Sequence, residues 1–287
     1  MAEATLDAPL RDNRFRRALA SPLTAIGLAL VAIHLFLALF APLIAPFSIS
    51  AIFTDGLTPP SAEHWLGTDQ IGRDYLSRLM SGGRIALLVS TIGVVAAILV
   101  GTTLGLIAGY FGDWLDDVVM RLTDTLMSVP ELLLIAILVL TFGKDLWALS
   151  LIVAIVYMPG VVRVVRAKTI TIAALDFVRA AELRGETRVF ILAREIAPNL
   201  TGLLAVELAI RISSAILKIS ALSFLGLGIS QPTPDWGLMV QEAMVVVFTD
   251  PWFLILPSIA LSSLIIGINF TVDGLSRAYG ISSLETG

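Results

Sequence analysis

The chain has 287 residues, of which 57% are hydrophobic and 15% charged, and its mean hydropathy is +0.91. A water-soluble domain carries roughly half apolar and a quarter charged residues, so this composition belongs to an integral membrane protein. Zero cysteines exclude disulfides and thiolate chemistry, the two separated histidines His34 and His64 offer no metal cluster, and a formal charge of −4 without a basic, aromatic-interleaved patch gives no sign of nucleic acid.

In chain order, Arg11, Arg14, Arg16 and Arg17 precede a first apolar run from about Leu23 to Leu43. The run exceeds the ~7–15 residues of a signal-peptide core and no clear small-x-small site follows, which predicts an uncleaved span with its basic end in the cytoplasm. His34 within it is expected to be a satisfied helix residue rather than a ligand. From Pro46 to Gly83 the chain is polar, with turn signals at Thr58-Pro59-Pro60, and it ends in HWLGTDQIGRDYLSRL, His64 to Leu79. Asp69, Arg73 and Asp74 invite a catalytic reading, but ion pairs fixing an ordered loop are the expectation.

A second span is predicted from about Ile85 to Ile107 and a third from about Val118 to Phe142. Gly101, Gly105 and Gly109 have the spacing of close helix packing in lipid. Pro130 predicts a kink in span three beside Glu131. An acid at the bilayer centre costs about 3 kcal/mol, so Glu131 must face the bundle interior, a partner or water. A turn at Gly143 to Asp145 leads to a fourth span, about Trp147 to Val162, whose exit carries Arg163, Arg166 and Lys168.

The densest charge follows in DFVRAAELRGETRVFILAREIAPN, Asp176 to Asn199, which must lie in water or against a partner. Asp176 is predicted to cap a helix running to about Arg184, Gly185 to break it, Thr187 to cap a second helix, and Pro198 to stand where the chain re-enters the membrane. Ala180, Ala181 and Leu183, with Val189, Phe190, Ile191 and Ile196, are expected to give the pair an apolar docking side. A fifth span, about Leu203 to Leu222, carries Glu207, Arg211 and Lys218. Two readings of these charges stay open. Together with Glu131 they line a passage, or Glu207 and Arg211 merely neutralise each other at i,i+4 while Lys218 snorkels to the interface. The Gly/Pro-rich Ser223 to Gly237 and the short apolar Leu238 to Phe248 precede a sixth span, about Trp252 to Val272. With both termini inside, about 13 Lys and Arg fall on the cytoplasmic side and about 4 outside, as the positive-inside bias requires.

The spacing Ala180-Ala181-x-x-x-Gly185, ten residues, then Ile196-x-Pro198-Asn199 resembles the cytoplasmic "EAA" loop of ABC importer permeases, whose coupling helix seats in a groove of the ATPase subunit. His64 to Leu79, Met120 to Leu134 and Ser223 to Gly237 resemble stretches of the peptide/nickel family, especially its C-type second permease. The resemblance spans roughly Leu23 to Gly280. It implies an all-α integral membrane fold, a six-transmembrane-helix type I ABC importer permease bundle with cytoplasmic coupling helices, multi-pass in the bacterial inner membrane. It further implies a homologous second permease, two ABC ATPase subunits and an extracytoplasmic substrate-binding protein as partners, besides the lipid bilayer, with di- or oligopeptides or related solutes as cargo. The matching positions assign ATPase coupling to Arg179, Ala180, Ala181, Glu182, Gly185, Phe190, Ile196 and Pro198. This chain departs from the family pattern at Arg179, where Glu is usual, at Ala197, often Leu, and at Ile219, where an acid often stands beside the position of Lys218.

The expected organisation is a cytoplasmic segment 1–22, a first span 23–45, an extracytoplasmic loop 46–84, a five-helix core 85–280 containing the coupling loop 163–199 and the external loop 223–251, and a tail 281–287. No G-x-x-x-x-G-K-[ST], H-E-x-x-H or G-x-S-x-G occurs, so the chain is read as lacking a catalytic site and a cofactor of its own, with ATP and Mg on the partner ATPases. The competing reading is a non-transport membrane scaffold for a cytosolic partner.

Overall fold

The computed structural model describes residues 21–54 and 56–279, and the N-terminal arginines and the tail 281–287 lie outside them. The described residues form α1 (Pro22–Ile44), α2 (Tyr75–Ser81), α3 (Arg84–Phe111), α4 (Asp113–Met127), α5 (Glu131–Phe142), α6 (Leu146–Ala173), α7 (Asp176–Leu183), α8 (Arg188–Phe190), α9 (Thr201–Phe224), α10 (Trp236–Ala243) and α11 (Trp252–Tyr279). A π-helical turn (Ile191–Ile196) and a 3₁₀ turn (Ala197–Leu200) join α8 to α9. Extended pairing among the described residues is confined to three isolated bridges in the loop before α2. Among the described residues, five helical stretches are long and apolar enough to cross a membrane, or six if α4 and α5 count as one broken span.

The centre of the bundle is α3 against α6. The small-residue spacing read from the sequence is the contact itself: a Cβ on Gly101 would stand 2.7 Å from the Cβ of Val161, and one on Gly105 would stand 2.8 Å from that of Val165. Gly109 meets Thr169 and Gly93 meets Val153 in the same way. Bare backbone at one helix turn after another lets the two axes approach, which in lipid supplies the dispersion contact that water exclusion cannot. α1 is held at its start by Ser21, whose hydroxyl accepts from the Thr24 N–H, and it leans on α11 through Gly27 and Gly267.

The third span is not the single kinked helix predicted over 118–142. α4 and α5 meet at 88° across a break at residues 128–130. Pro130 disfavours helical backbone at the preceding residue, and α4 holds Asp113, Asp116, Asp117, Arg121 and Asp124 in 15 residues, a load that lipid cannot take. α4 instead ties to α6 through Arg166 with Asp116 and Arg163 with Asp124. α5, with 12 residues, reaches about 18 Å, short of the ~30 Å hydrocarbon core. α6 also continues past the predicted exit at Val162 to Ala173, so Arg163, Arg166 and Lys168 project from a helix rather than a loop.

At the opposite end, the loop before α2 is welded to α10 by charge. Arg73 Nε lies 2.7 Å from Asp69 and His64 Nδ1 lies 2.9 Å from Asp74, so Asp69, Arg73 and Asp74 are the loop-fixing charges expected, and Arg78 Nη2, 2.9 Å from Glu242, adds a pair that the sequence did not suggest. Trp236 inserts where α2 meets α3. Its ring fills the space that Cβ atoms on Gly82 and Gly83 would need, and its Nε1 donates to the Leu79 carbonyl at 2.9 Å. His34 bonds the Leu30 carbonyl at 2.8 Å and stands edge-on to Trp236, a satisfied helix residue as expected.

Candidate functional site

The polar segment after α6 is a helix, a tight turn, and a second helix. Leu175, not Asp176, occupies the N-cap position of α7. Asp176 is the first helical residue, where its charge still complements the helix dipole without a capping hydrogen bond. Gly185 ends α7 with φ +79°. Its N–H donates to the Glu182 carbonyl at 2.9 Å and that of Glu186 to the Ala181 carbonyl at 3.2 Å, the paired bonds of a Schellman turn. Thr187 then caps the second helix, accepting from the Phe190 N–H at 3.3 Å.

The expected apolar docking side divides in two. Val178, Ala181, Ile191, Ile196 and Leu200 are fully buried in a cluster with Val161, Val165 and Ile172 of α6. Of the residues predicted to face a partner, Ala181, Ile191 and Ile196 are therefore consumed by this chain's own helix, because α7 and α8 must bury one face to stay folded outside the lipid. Arg179, Ala180, Glu182, Gly185 and Phe190 remain on the outer side with Leu183, which is 90% exposed, and Val189, 74% exposed. Glu182 accepts from the Tyr110 hydroxyl at 3.0 Å and Arg188 stacks over Phe111 at 5.5 Å, so the end of α3 braces the turn.

Pro198 does not break the path into the fifth span. Helical backbone runs from Arg188 to Phe224 over 37 residues, about 55 Å. A proline in regular α-helix collides with the carbonyl four residues back. Here the π turn before it and the 3₁₀ turn around it change the local pitch, so the ring is accommodated without a break.

Further along that rod stand the membrane charges. Arg211 Nε and Nη2 lie 2.8 and 2.6 Å from Glu207 Oε2, the i,i+4 pair predicted, and Glu207 is buried. Arg211 also reaches the Tyr157 carbonyl at 3.4 Å, which it can do because Gly160 has no side chain: a Cβ there would lie 2.7 Å from its Nη1. Lys218 does not snorkel away. It forms an ion pair with Glu131 at the start of α5, and its Nζ lies 4.9 Å above the Tyr157 ring. Glu131, Arg163 and Arg211 line one cavity of about 340 Å³ with Leu134, Val156 and Gly160, at the bend between α4 and α5.

Of the four pathway residues named from sequence, Glu131 and Arg211 line this cavity, and Lys218 and Glu207 are their respective ion-pair partners. Gly160 and Arg163 as lining residues, and Tyr157 as the contact shared by Arg211 and Lys218, were not legible from sequence. Gly160 directly after Pro159 in an otherwise apolar helix is the one signal that was available.

Residues 101–280 match the family described as "Binding-protein-dependent transport system inner membrane component". The chain is 35% identical over 275 residues to the dipeptide transport system permease protein DppC of Alkalihalophilus pseudofirmus, covering 96% of this chain and 90% of that one. It is 38% identical over 259 residues to a di/tripeptide transport system permease protein of Pseudomonas aeruginosa, covering 88% and 86%. It is 37% identical over 219 residues to the glutathione transport system permease protein GsiD of Pectobacterium atrosepticum, covering 76% and 73%.

Proposed function

Because the chain belongs to the binding-protein-dependent transport system inner membrane component family, a type I ABC permease bundle set in the inner membrane, we propose that it forms half of the translocation pathway of an importer for short peptides. The other half is a homologous permease, two ABC ATPases bind at the α7–α8 turn, and a substrate-binding protein delivers cargo from outside. ATP and Mg are held by the ATPases. Both termini are cytoplasmic.

The observation that carries this reading is the uninterrupted rod from Arg188 to Phe224. One end bears the exposed Val189 and Phe190 beside the Gly185 turn, and the other bears the Glu207–Arg211 pair, whose arginine lines the cavity, and Lys218, which pairs with the cavity residue Glu131. Movement of the docking end by a closing ATPase pair is carried toward those charges along continuous helical backbone, with the π and 3₁₀ turns around Pro198 as the place where the path can bend. Arg179, Ala180, Glu182, Gly185 and Phe190 present the docking surface, whereas Ala181, Ile196 and Pro198 act from behind by seating it on α6 and joining it to α9. At the cavity, a cargo's amino-terminal ammonium and carboxylate bind by exchange with the existing pairs, the ammonium replacing Lys218 on Glu131 and the carboxylate replacing Glu207 on Arg211 or Asp124 on Arg163. The peptide and glutathione relatives have cargo with both groups.

Gly185→Pro cannot adopt a positive φ, and Ala181→Gln cannot fit a site with no exposed surface. In proteoliposomes with the complete transporter, both variants are expected to insert and assemble but to lose uptake at least about tenfold while ATP hydrolysis continues, a coupling loss above about 1.4 kcal/mol. Normal uptake by both would refute the docking assignment. A scaffold without transport predicts no uptake from the wild type either.

A further inference from the structure

Three arginines stand at the outer end of the bundle, against the general bias of basic residues to the other side, and the structure neutralises two of them. Arg73 and Arg78 are enclosed with Asp69 and Glu242. Arg84 is exposed, and no carboxylate among the described residues pairs with it. It lines a groove of about 690 Å³ whose other walls include Ala41 and Pro42 of α1, Ile85 and Leu88 of α3, and Leu146 of α6. α1 leans on α11 and touches α3 only sparsely, which is why a groove opens between them.

We infer that this groove seats an anionic phospholipid of the outer leaflet, with an acyl chain along α1 and α3 and the phosphate on Arg84. Position, charge and lining agree on that occupant. Arg84 is the first residue of a 28-residue helix of about 42 Å, longer than the ~30 Å hydrocarbon core, so its guanidinium stands at headgroup level while Leu88 lies about a turn deeper. The groove is continuous with surface that meets lipid, since Leu39 and Leu43 on α1 and Leu88 on α3 are exposed. A planar guanidinium with no protein partner at that level matches a phosphodiester in charge and in bidentate geometry. A bound chain also fills the gap between α1 and the core, giving α1 a lateral contact that its own packing does not supply.

The test is native mass spectrometry of the complete detergent-purified transporter titrated with phosphatidylglycerol or phosphatidylcholine. The wild type is expected to retain phosphatidylglycerol in preference to phosphatidylcholine, and Arg84→Gln to retain it about tenfold less well, the loss of one charge-assisted contact. Arg84→Lys should keep most of the binding, and Leu88→Trp, which fills the groove without touching the charge, should reduce it as Arg84→Gln does. Equal retention by wild type and Arg84→Gln overturns the inference, as does equal affinity of the wild type for the two lipids. Lost uptake in Arg84→Gln with unchanged lipid retention overturns it too, and assigns the arginine to the solute or to a protein partner.

Discussion

Asp235 shows how a single side chain can make this fold sensitive to pH. Its Oδ1 caps α10 by accepting from the N–H groups of Gly237 and Leu238, while burial, the larger influence, pushes its carboxyl from 3.8 up to about 6. A carboxyl whose pKa is raised by folding favours the folded state below its unfolded value. That contribution fades as pH climbs through about 6, and the full difference is about 3 kcal/mol. The thermal midpoint of the wild type in detergent should therefore fall between pH 5 and pH 7.5, while Asp235→Asn stays comparatively flat; parallel curves would show that Asp235 is not the group responsible. Gly105 is a residue of the opposite kind, needed for what it lacks. Gly105→Val drives a branched side chain into Val165 and the Val162 carbonyl, and should lower stability by about 1–3 kcal/mol or more with no change in the polar sites. The small-residue spacing was legible because bare backbone has one main use in lipid. The partner of Lys218 was not, because residues 87 positions apart share no sequence pattern.

Among the elements, the bent pair α4–α5 is tied to its neighbours by three ion pairs within the described residues. α5 is short, and its link to α9 is the Glu131–Lys218 pair. Removing one partner strands a charge near the membrane interior, whereas removing both leaves none. Lys218→Met and Glu131→Gln should each depress uptake in proteoliposomes, and the double variant should be less impaired than the product of the two singles. Strict multiplicativity would mean that the pair does not act as a unit. The bend itself could be read only as a kink. Pro130 marks a position, but the angle depends on Asp116 and Asp124 finding Arg166 and Arg163 on another helix.

For the whole molecule, the question is whether the segment outside the membrane and the charges within it belong to one body. The 37-residue stretch from Arg188 to Phe224 joins them. Inserting Gly-Gly after Asn199 adds backbone freedom between the two ends while sparing every side chain at either, so uptake should drop severalfold and ATP hydrolysis should lose its dependence on the delivered solute. Unimpaired uptake by the insertion variant would show that force does not travel along this helix. The segment after α6 is seated on that helix by Ala181, Ile191 and Ile196, because a helix pair outside the lipid must bury one face to stay folded.

Composition alone made this a membrane protein, because 57% hydrophobic residues cannot be covered by 15% charged ones in water. Local spacing was enough for the helix-turn-helix at Gly185 and for the Glu207–Arg211 pair, since both depend on residues within a few positions of one another. What only the tertiary structure decided is which face of that helical pair remains open, that Pro198 continues a helix instead of ending one, that α4 and α5 meet at 88°, and that Lys218 pairs with Glu131, which lines a cavity with Arg211. Each of these depends on contacts between distant helices, where burial and charge pairing outweigh the local preferences that a sequence displays.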